Sequence, residues 1–188
     1  MKFHLSNPVS ENVKSLLLAI EGGPLRPQLV ETPLRVEKMF SEIFDGYSMD
    51  IDSLFRSFDG EGKDQLVIIK DIETWSWCEH HMLPFFVSVS VGYLPKDRVI
   101  GASKIERLVV AYAHRLQLQE RITEQVANTL MDKLQPLGVG VVIEGEHLCM
   151  RIRGVKSKNS KMISSVMLGQ FREDQGLRQE VLNLMTLK

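Results

Sequence analysis

The segment Phe86-Val-Ser-Val-Ser-Val91 alternates at every step, which commits it to a β-strand with one buried face. A strand patterned in this way needs a neighbour of the same period. The stretch Gln65-Leu-Val-Ile-Ile-Lys-Asp-Ile-Glu-Thr-Trp-Ser-Trp77, rich in β-branched and aromatic residues, supplies one, and the two are expected to pair antiparallel. Two helices should follow. One starts at Ser103, where Ser-Lys-Ile-Glu106 fits a capping box, and a longer one runs from about Gln117 to Leu134. Gly138-Val-Gly-Val-Val-Ile143 returns to strand and reads as continuing through Arg153, with a further extended stretch at 160–167 and a final helix at 174–187. The order ββααββ, then helix, predicts an α+β fold with an antiparallel sheet.

The first third is helical in pattern. Ser10 to Ile20 forms one helix that stops at Gly22-Gly23-Pro24, and Thr32-Pro33 caps and opens a second, with Val36, Met39, Phe40, Ile43 and Phe44 at helical spacing. Residues 47–64 read as a connection with one short helical turn, so the expected division is a helical extension at 1–64 and a sheet-containing domain at 65–188. The 188 residues carry 23 Lys and Arg against 24 Asp and Glu, a net charge of −1, which leaves no global field to draw the chain to nucleic acid or an acidic membrane. The longest purely apolar run near the start, Leu16 to Ile20, is far too short for a spanning helix or a signal core, so a cytoplasmic location is the expectation.

Both cysteines and three of the five histidines fall in two short segments, Cys78-Glu79-His80-His81 and His147-Leu148-Cys149. The two-residue gap between Cys78 and His81 lets a turn aim thiolate and imidazole at one ion. Strand alternation would put His147 and Cys149 on one face, about 7 Å apart. Cys78, His81 and Cys149 as three ligands leave a fourth position open, the pattern of catalytic zinc, with His80 and His147 nearby as proton carriers. A closed structural site using His80 or His147 as fourth ligand also satisfies the spacing, as do two inert buried cysteines. Thiolate and imidazole favour zinc over magnesium or calcium, with Fe(II) an alternative.

Residues 151–161 hold Arg151, Arg153, Lys156, Lys158 and Lys161 and no acid. Such a run is either a solvated face or, beside a metal, a site for an anionic substrate such as a phosphate. Ser103-Lys104 at a helix start, with Arg107 one turn on, offers a second phosphate cradle, or simply a cap with two solvated cations. Gln119-Glu120 is either ordinary helix surface or an amide and carboxylate suited to the donor edge of guanine.

Taken together, Cys78-Glu-His-His81, Gly101-Ala-Ser-Lys-Ile-Glu-Arg107, Gln117-Leu-Gln-Glu-Arg-Ile-Thr123, His147-Leu-Cys149 through Arg153-Gly154, and Thr32-Pro-Leu-Arg-Val-Glu-Lys-Met39 resemble the ordered signature segments of the GTP cyclohydrolase I family. The resemblance covers roughly residues 10–187. It implies the tunnelling fold, a ββααββ antiparallel sheet with helices on one face, assembled as a homodecamer with active sites between subunits. It also implies zinc-dependent hydrolysis of GTP to 7,8-dihydroneopterin triphosphate and formate, the entry step to folate or tetrahydrobiopterin. By position, Cys78, His81 and Cys149 resemble the zinc ligands and His80 and His147 the catalytic pair. Glu120 and Gln119 resemble the guanine-recognition residues, and Ser103, Lys104, Arg107 and Arg153 the triphosphate contacts. Arg35 and Lys38 match a contribution from the N-terminal helix. Two departures stand out: Met162 replaces a hydroxyl common after the basic segment, and Trp77 is bulkier than is usual before the first ligand. The alternatives are a same-fold hydrolase that stops at a ring-opened pyrimidine and a non-catalytic zinc-bound oligomeric binder.

Overall fold

The alternating segment lies inside a longer central strand, flanked on both sides by antiparallel neighbours, in the computed structural model, which describes residues 9–55, 58–59 and 65–187. Along the chain the strands are β1 (Phe58–Asp59), β2 (Val67–Cys78), β3 (Pro84–Leu94), β4 (Arg98–Val99), β5 (Leu116–Gln117), β6 (Gly138–His147) and β7 (Met162–Gly169). The helices are α1 (Val9–Glu21), α2 (Thr32–Ile43), α3 (Ala102–Ala113), α4 (Gln119–Leu134), α5 (Leu148–Arg151), α6 (Gln170–Glu173) and α7 (Gln175–Thr186). The main sheet has the order β5-β2-β3-β6-β7, antiparallel except where β5 runs parallel to the end of β2. The fold is therefore α+β, with β2β3α3α4β6β7 as its core order. No helix among the described residues is long and apolar enough to cross a membrane.

The chain divides into two compact units, Met1–Met49 and Asp50–Lys188. In the first, α1 and α2 pack on each other, and the Ser10 backbone N–H donates to the Glu37 carboxylate at 2.7 Å. Thr32 is the first residue of α2 and not its cap, because Glu31 occupies that place with helical backbone angles. In the second unit, Ile51, Leu54 and Phe55 around the turn at Asp52–Leu54 pack against the sheet's core. Part of the connection expected at 47–64, residues 56–57 and 60–64, lies outside the described residues.

The valines of β3 face α3 and α4. Val87, Val89 and Val91 join Ile105, Leu108, Val109, Ile122, Val126 and Leu130 in one buried cluster, which is what the alternation demands. The opposite face is covered only in part. At the Gly92 end, α6 and α7 contribute Phe171, Val181 and Met185 to a second cluster with Leu94 and Met167. Gly92 makes this possible, since a Cβ there would lie 2.6 Å from Ile68 Cδ1 and 2.8 Å from Met185 Cε. The expected layer of helices on one face is thus joined by a partial second layer. At the other end of that face Trp75, Phe86 and Ile163 remain exposed.

Several local expectations change. The capping box at Ser103 does not form: Gly101 is the cap residue, so Ser103 lies inside the first turn and is exposed. Helix α4 starts at Gln119 and not Gln117, because Leu116–Gln117 is taken up as a sheet edge beside Trp77–Cys78. The strand through Gly138 ends at His147 and does not reach Arg153; the chain turns at once into the single helical turn α5. The ladder gives the reason. Phe85 pairs with His147, so Leu148 would face Pro84, which has no N–H to offer.

This topology also fixes direction. Strands β2 and β3 run between a Val67/Tyr93 end and a Trp77/Pro84 end. Helix α3 follows β3 and β4 at the first end and finishes next to β5 at the second. Its first turn is therefore remote from Cys78 within one chain.

Candidate active site and metal centre

Cys78 is the last residue of β2, and its backbone closes a tight turn: Cys78 N–H donates to Leu83 O at 2.9 Å, and Cys78 O accepts from Met82 N–H at 2.9 Å. Met82 takes a left-handed conformation, φ 51°, to complete it. The turn is buttressed from α4. Arg121 makes a two-pronged ion pair with Glu79 at 2.6 and 3.1 Å, and Glu79 N–H donates to Gln117 O at 3.2 Å. The Arg121 guanidinium holds the Glu79 carboxyl below the ordinary carboxylate range. Neither residue was singled out by spacing, since 42 positions separate them.

The turn brings His81 Nδ1 to 3.9 Å from Cys78 Sγ. Cys149 reaches the same place from α5, and the donor atoms of Cys78, His81 and Cys149 all lie within 4.8 Å of one another. Ligands held at about 2.0–2.3 Å by a tetrahedral ion stand roughly 3.5–3.8 Å apart, so this donor set fits a metal. Burial, and then the adjacent Cys78 thiol, push the Cys149 thiol up from its usual value. A cation between the two sulfurs would relieve that pressure. The arrangement is half open: Cys78 is buried, Cys149 partly so, and His81 exposed. On its outer side the Arg153 guanidinium donates to His81 Nε2 at 2.6 Å. His80 is exposed, with its ring edge-on to His81 at 6.2 Å.

His147 takes a different course from Cys149, because it belongs to β6 and not to the turn. Its ring stacks on Phe85 at 4.3 Å and 9° between planes, and its Nε2 lies 3.0 Å from Gln119 Oε1. Burial keeps the imidazole below the ordinary histidine range, against the opposing pull of Glu120. Gln119 is itself wholly buried, while Glu120 is exposed. Adjacent helical residues point about 100° apart, a signal already in the sequence that the two do not share one recognition edge.

The other expected contacts scatter. Of the five cations at 151–161, Arg153 hydrogen-bonds to the Cys/His/Cys cluster; Arg151 pairs with Glu146, and Lys161 pairs with Glu144 at 2.5 Å. Those acids alternate with Gly145 and His147 along β6 and so occupy the opposite face of the sheet. Lys156 and Lys158 are exposed. Ser103, Lys104 and Arg107 lie on the first turns of α3, and Arg35 and Lys38 are exposed on α2 of the first unit.

Because Arg121 braces the ligand turn from outside it, Arg121→Met is expected to weaken metal affinity by roughly 10-fold while the fold is retained. Titration with a competing chelator reads this directly, and unchanged affinity would show that the turn holds its shape without the brace.

A family model described as GTP cyclohydrolase I matches residues 9–186. The protein named GTP cyclohydrolase 1 from Coxiella burnetii is 44% identical over 182 residues, 96% of this chain and 99% of that protein. Its namesake from Caldanaerobacter subterraneus is 45% identical over 181 residues, 96% of each, and GTP cyclohydrolase 1 2 from Pseudomonas putida is 43% identical over 183 residues, 96% of this chain and 98% of that one. Among solved structures, the archaeosine synthase QueF-Like in the apo form aligns with a TM-score of 0.48 at 18% identity, over 58% of this chain and 97% of that chain. With relatives matched along nearly their whole length and a Cys/His/Cys cluster at the convergence of two strand ends, the chain belongs to the GTP cyclohydrolase I family.

Proposed function

We propose that this chain hydrolyses GTP to 7,8-dihydroneopterin triphosphate and formate at the site built around Cys78, His81 and Cys149, with zinc as the metal. The observation that carries the proposal is the convergence of three soft donors, one side left open, beside a separately held and buried histidine. A zinc ion in that position supplies Lewis acidity, which lowers the pKa of water to about 7.

The chain's own residues divide the remaining work. Cys78 and Cys149 as thiolates and His81 as neutral imidazole hold the ion. His147, buried and kept neutral, takes and returns the proton at the guanine ring as its C8–N bond opens; exposed His80 serves the later proton transfers through water. Glu120, exposed at the start of α4, accepts from the guanine amine and ring N–H. Arg153 donates to His81 Nε2 only while that nitrogen is bare; with Nδ1 on the ion and the proton at Nε2 the guanidinium would be released, a cation at the site's outer rim for the triphosphate.

Ser103, Lys104 and Arg107 are proposed as further triphosphate contacts supplied by a second copy of the chain. Their helix begins at the sheet end remote from Cys78, and Ser103 lies ten residues, about 15 Å of helix, before the end that adjoins it. A homodecamer with sites between subunits, as the family resemblance implies, would bring them in, with Arg35 and Lys38 as an additional contribution from α2. The product would serve folate or tetrahydrobiopterin synthesis in the cytoplasm.

The deciding experiment incubates metal-quantified protein with GTP and follows formate and, after oxidation, fluorescent pterin, with and without a chelator. Both products are expected, and both should vanish on chelation and return with zinc. Formate without pterin would mean that the reaction stops at a ring-opened pyrimidine. Neither product from zinc-loaded oligomer would leave a non-catalytic binder.

A further inference from the structure

We propose that Gln119 is a positioning residue for His147 and not a reader of guanine: it fixes the imidazole as the tautomer protonated at Nε2, with the lone pair at Nδ1. The inference rests on the reading of His147 as the proton carrier in the reaction above.

The direction of every bond around Gln119 can be settled from chemistry. Its amide nitrogen lies 3.0 Å from Ile143 O, 3.1 Å from Met162 O and 3.1 Å from Ser164 Oγ. Two of these are carbonyls and can only accept, so the nitrogen must face them; a flipped amide would set oxygen against oxygen twice. The amide oxygen is thereby turned to His147 Nε2 at 3.0 Å, and an oxygen that only accepts requires a proton on that nitrogen. A neutral imidazole with Nε2–H has its free lone pair at Nδ1.

The support continues one step out. Thr123 Oγ1 donates to Gln119 O at 2.8 Å, so the 2.7 Å contact between Thr123 and Ser164 must run from the Ser164 hydroxyl to Thr123. Ser164 is then left to accept from Gln119, whose two amide hydrogens are shared among it and the Ile143 and Met162 carbonyls. The chain His147 to Gln119 to Ser164 to Thr123 and back to the Gln119 carbonyl has a single consistent polarity, with no donor left over. Phe85 sets the plane of the ring by stacking at 4.3 Å, and Gln119 sets its rotation within that plane. Met162, a departure from the family pattern, enters this network only through its backbone carbonyl, so the missing hydroxyl does not disturb it.

Gly145 makes the arrangement possible. A Cβ at that position would lie 2.1 Å from Gln119 Oε1 and 3.1 Å from its Cδ. Any other residue there would push the amide oxygen away from His147 while leaving Gln119 in the chain. Gln119 is also wholly buried, with both ends of its amide engaged inside the protein, so no edge is presented to a purine.

The test combines Gly145→Ala and Gln119→Glu with solid-state nitrogen spectra of histidine-labelled, zinc-loaded wild type, the His147 signals being identified by their loss in His147→Ala. Wild type is expected to show a protonated Nε2 and a bare Nδ1 at His147. Gly145→Ala is expected to lower kcat on the order of 10–100-fold, the usual cost of losing an orienting partner, with KM for GTP and zinc content little changed. Gln119→Glu, whose second oxygen would stand against the Ile143 and Met162 carbonyls, is expected to lower kcat at least as much as Gly145→Ala. A bare Nε2 in wild type would overturn the proposal however the variants fold, and so would a rise in KM with kcat intact, which would mark Gln119 as a substrate contact. Wild type that produces neither formate nor pterin would strike the proposed activity instead, and the nitrogen spectrum would still decide the tautomer.

Discussion

Cys149→Ala is expected to lose its metal on purification and to lose turnover by at least roughly 10⁴-fold, because the shift of a water's pKa from 15.7 to about 7 disappears with the ion. The size of the effect follows from the ligand count. With Cys149 gone, Cys78 and His81 remain as a two-donor turn, and a half-exposed pair cannot hold zinc against water and buffer. The fold should survive, since Cys149 sits in a single helical turn at the rim and contributes little to the main buried cluster, where it is only a partly buried neighbour. Elemental analysis of purified variant and wild type, with circular dichroism and sedimentation as controls for structure, would read both halves. Full metal content in Cys149→Ala would mean that other donors hold the ion, and the closed structural site with His80 or His147 as ligand would replace the open one.

The sequence made the metal centre legible because its signal is local. Cys78 and His81 are separated by one turn's worth of chain, and no tertiary information is needed to see that they can share an ion. Cys149 was legible as a residue but not in its local structure. Strand alternation would have set it beside His147 on one face; in the fold Pro84 ends the ladder and the chain coils, so Cys149 swings to Cys78 while His147 stays on the sheet against Phe85. The separation of Cys149 from His147 is a consequence of that break. Alternation served well for β3 and β6, where both faces are defined by the sheet, and it failed past residue 147, where there is no sheet left to enforce it.

The cations illustrate a different limit. A run of five positive residues says nothing of direction, and in the fold two of them pair with Glu144 and Glu146, which the pleat of β6 turns to the face opposite His147. Ser103, Lys104 and Arg107 lie on the first turns of a helix, as their pattern suggests, though Gly101 and not Ser103 caps it, and nothing in the sequence says that this helix begins at the end of the sheet far from Cys78. Gln119 was hidden for a third reason. Its four side-chain partners come from β6 and β7, 24 to 45 residues away, and a buried amide looks the same in a sequence as an exposed one.

His147→Ala should give the opposite signature to Cys149→Ala: full metal content, and kcat lower by about 10²–10⁴-fold, the usual worth of a positioned acid–base group. Two features of the fold support this separation. The His147 ring is held by Phe85 and Gln119, whereas the Cys78–Met82 turn is held by its own backbone hydrogen bonds and by Arg121 on Glu79, so removing the ring leaves the turn's own supports in place. Its loss also leaves a space bounded by an aromatic face and an amide oxygen, which is suited to a free imidazole. Added imidazole is therefore expected to restore part of the lost turnover, with a saturating concentration dependence, whereas it should do nothing for Cys149→Ala. The comparison is informative because both variants would be inactive by a simple assay. Metal content tells a missing ligand from a missing proton carrier, and imidazole rescue tells a missing proton carrier from a collapsed pocket. Zinc lost from His147→Ala would show that ligand and acid had been assigned the wrong way round. Zinc retained with kcat unchanged would pass the proton transfers to His80, whose exposed ring lies edge-on to His81 at 6.2 Å.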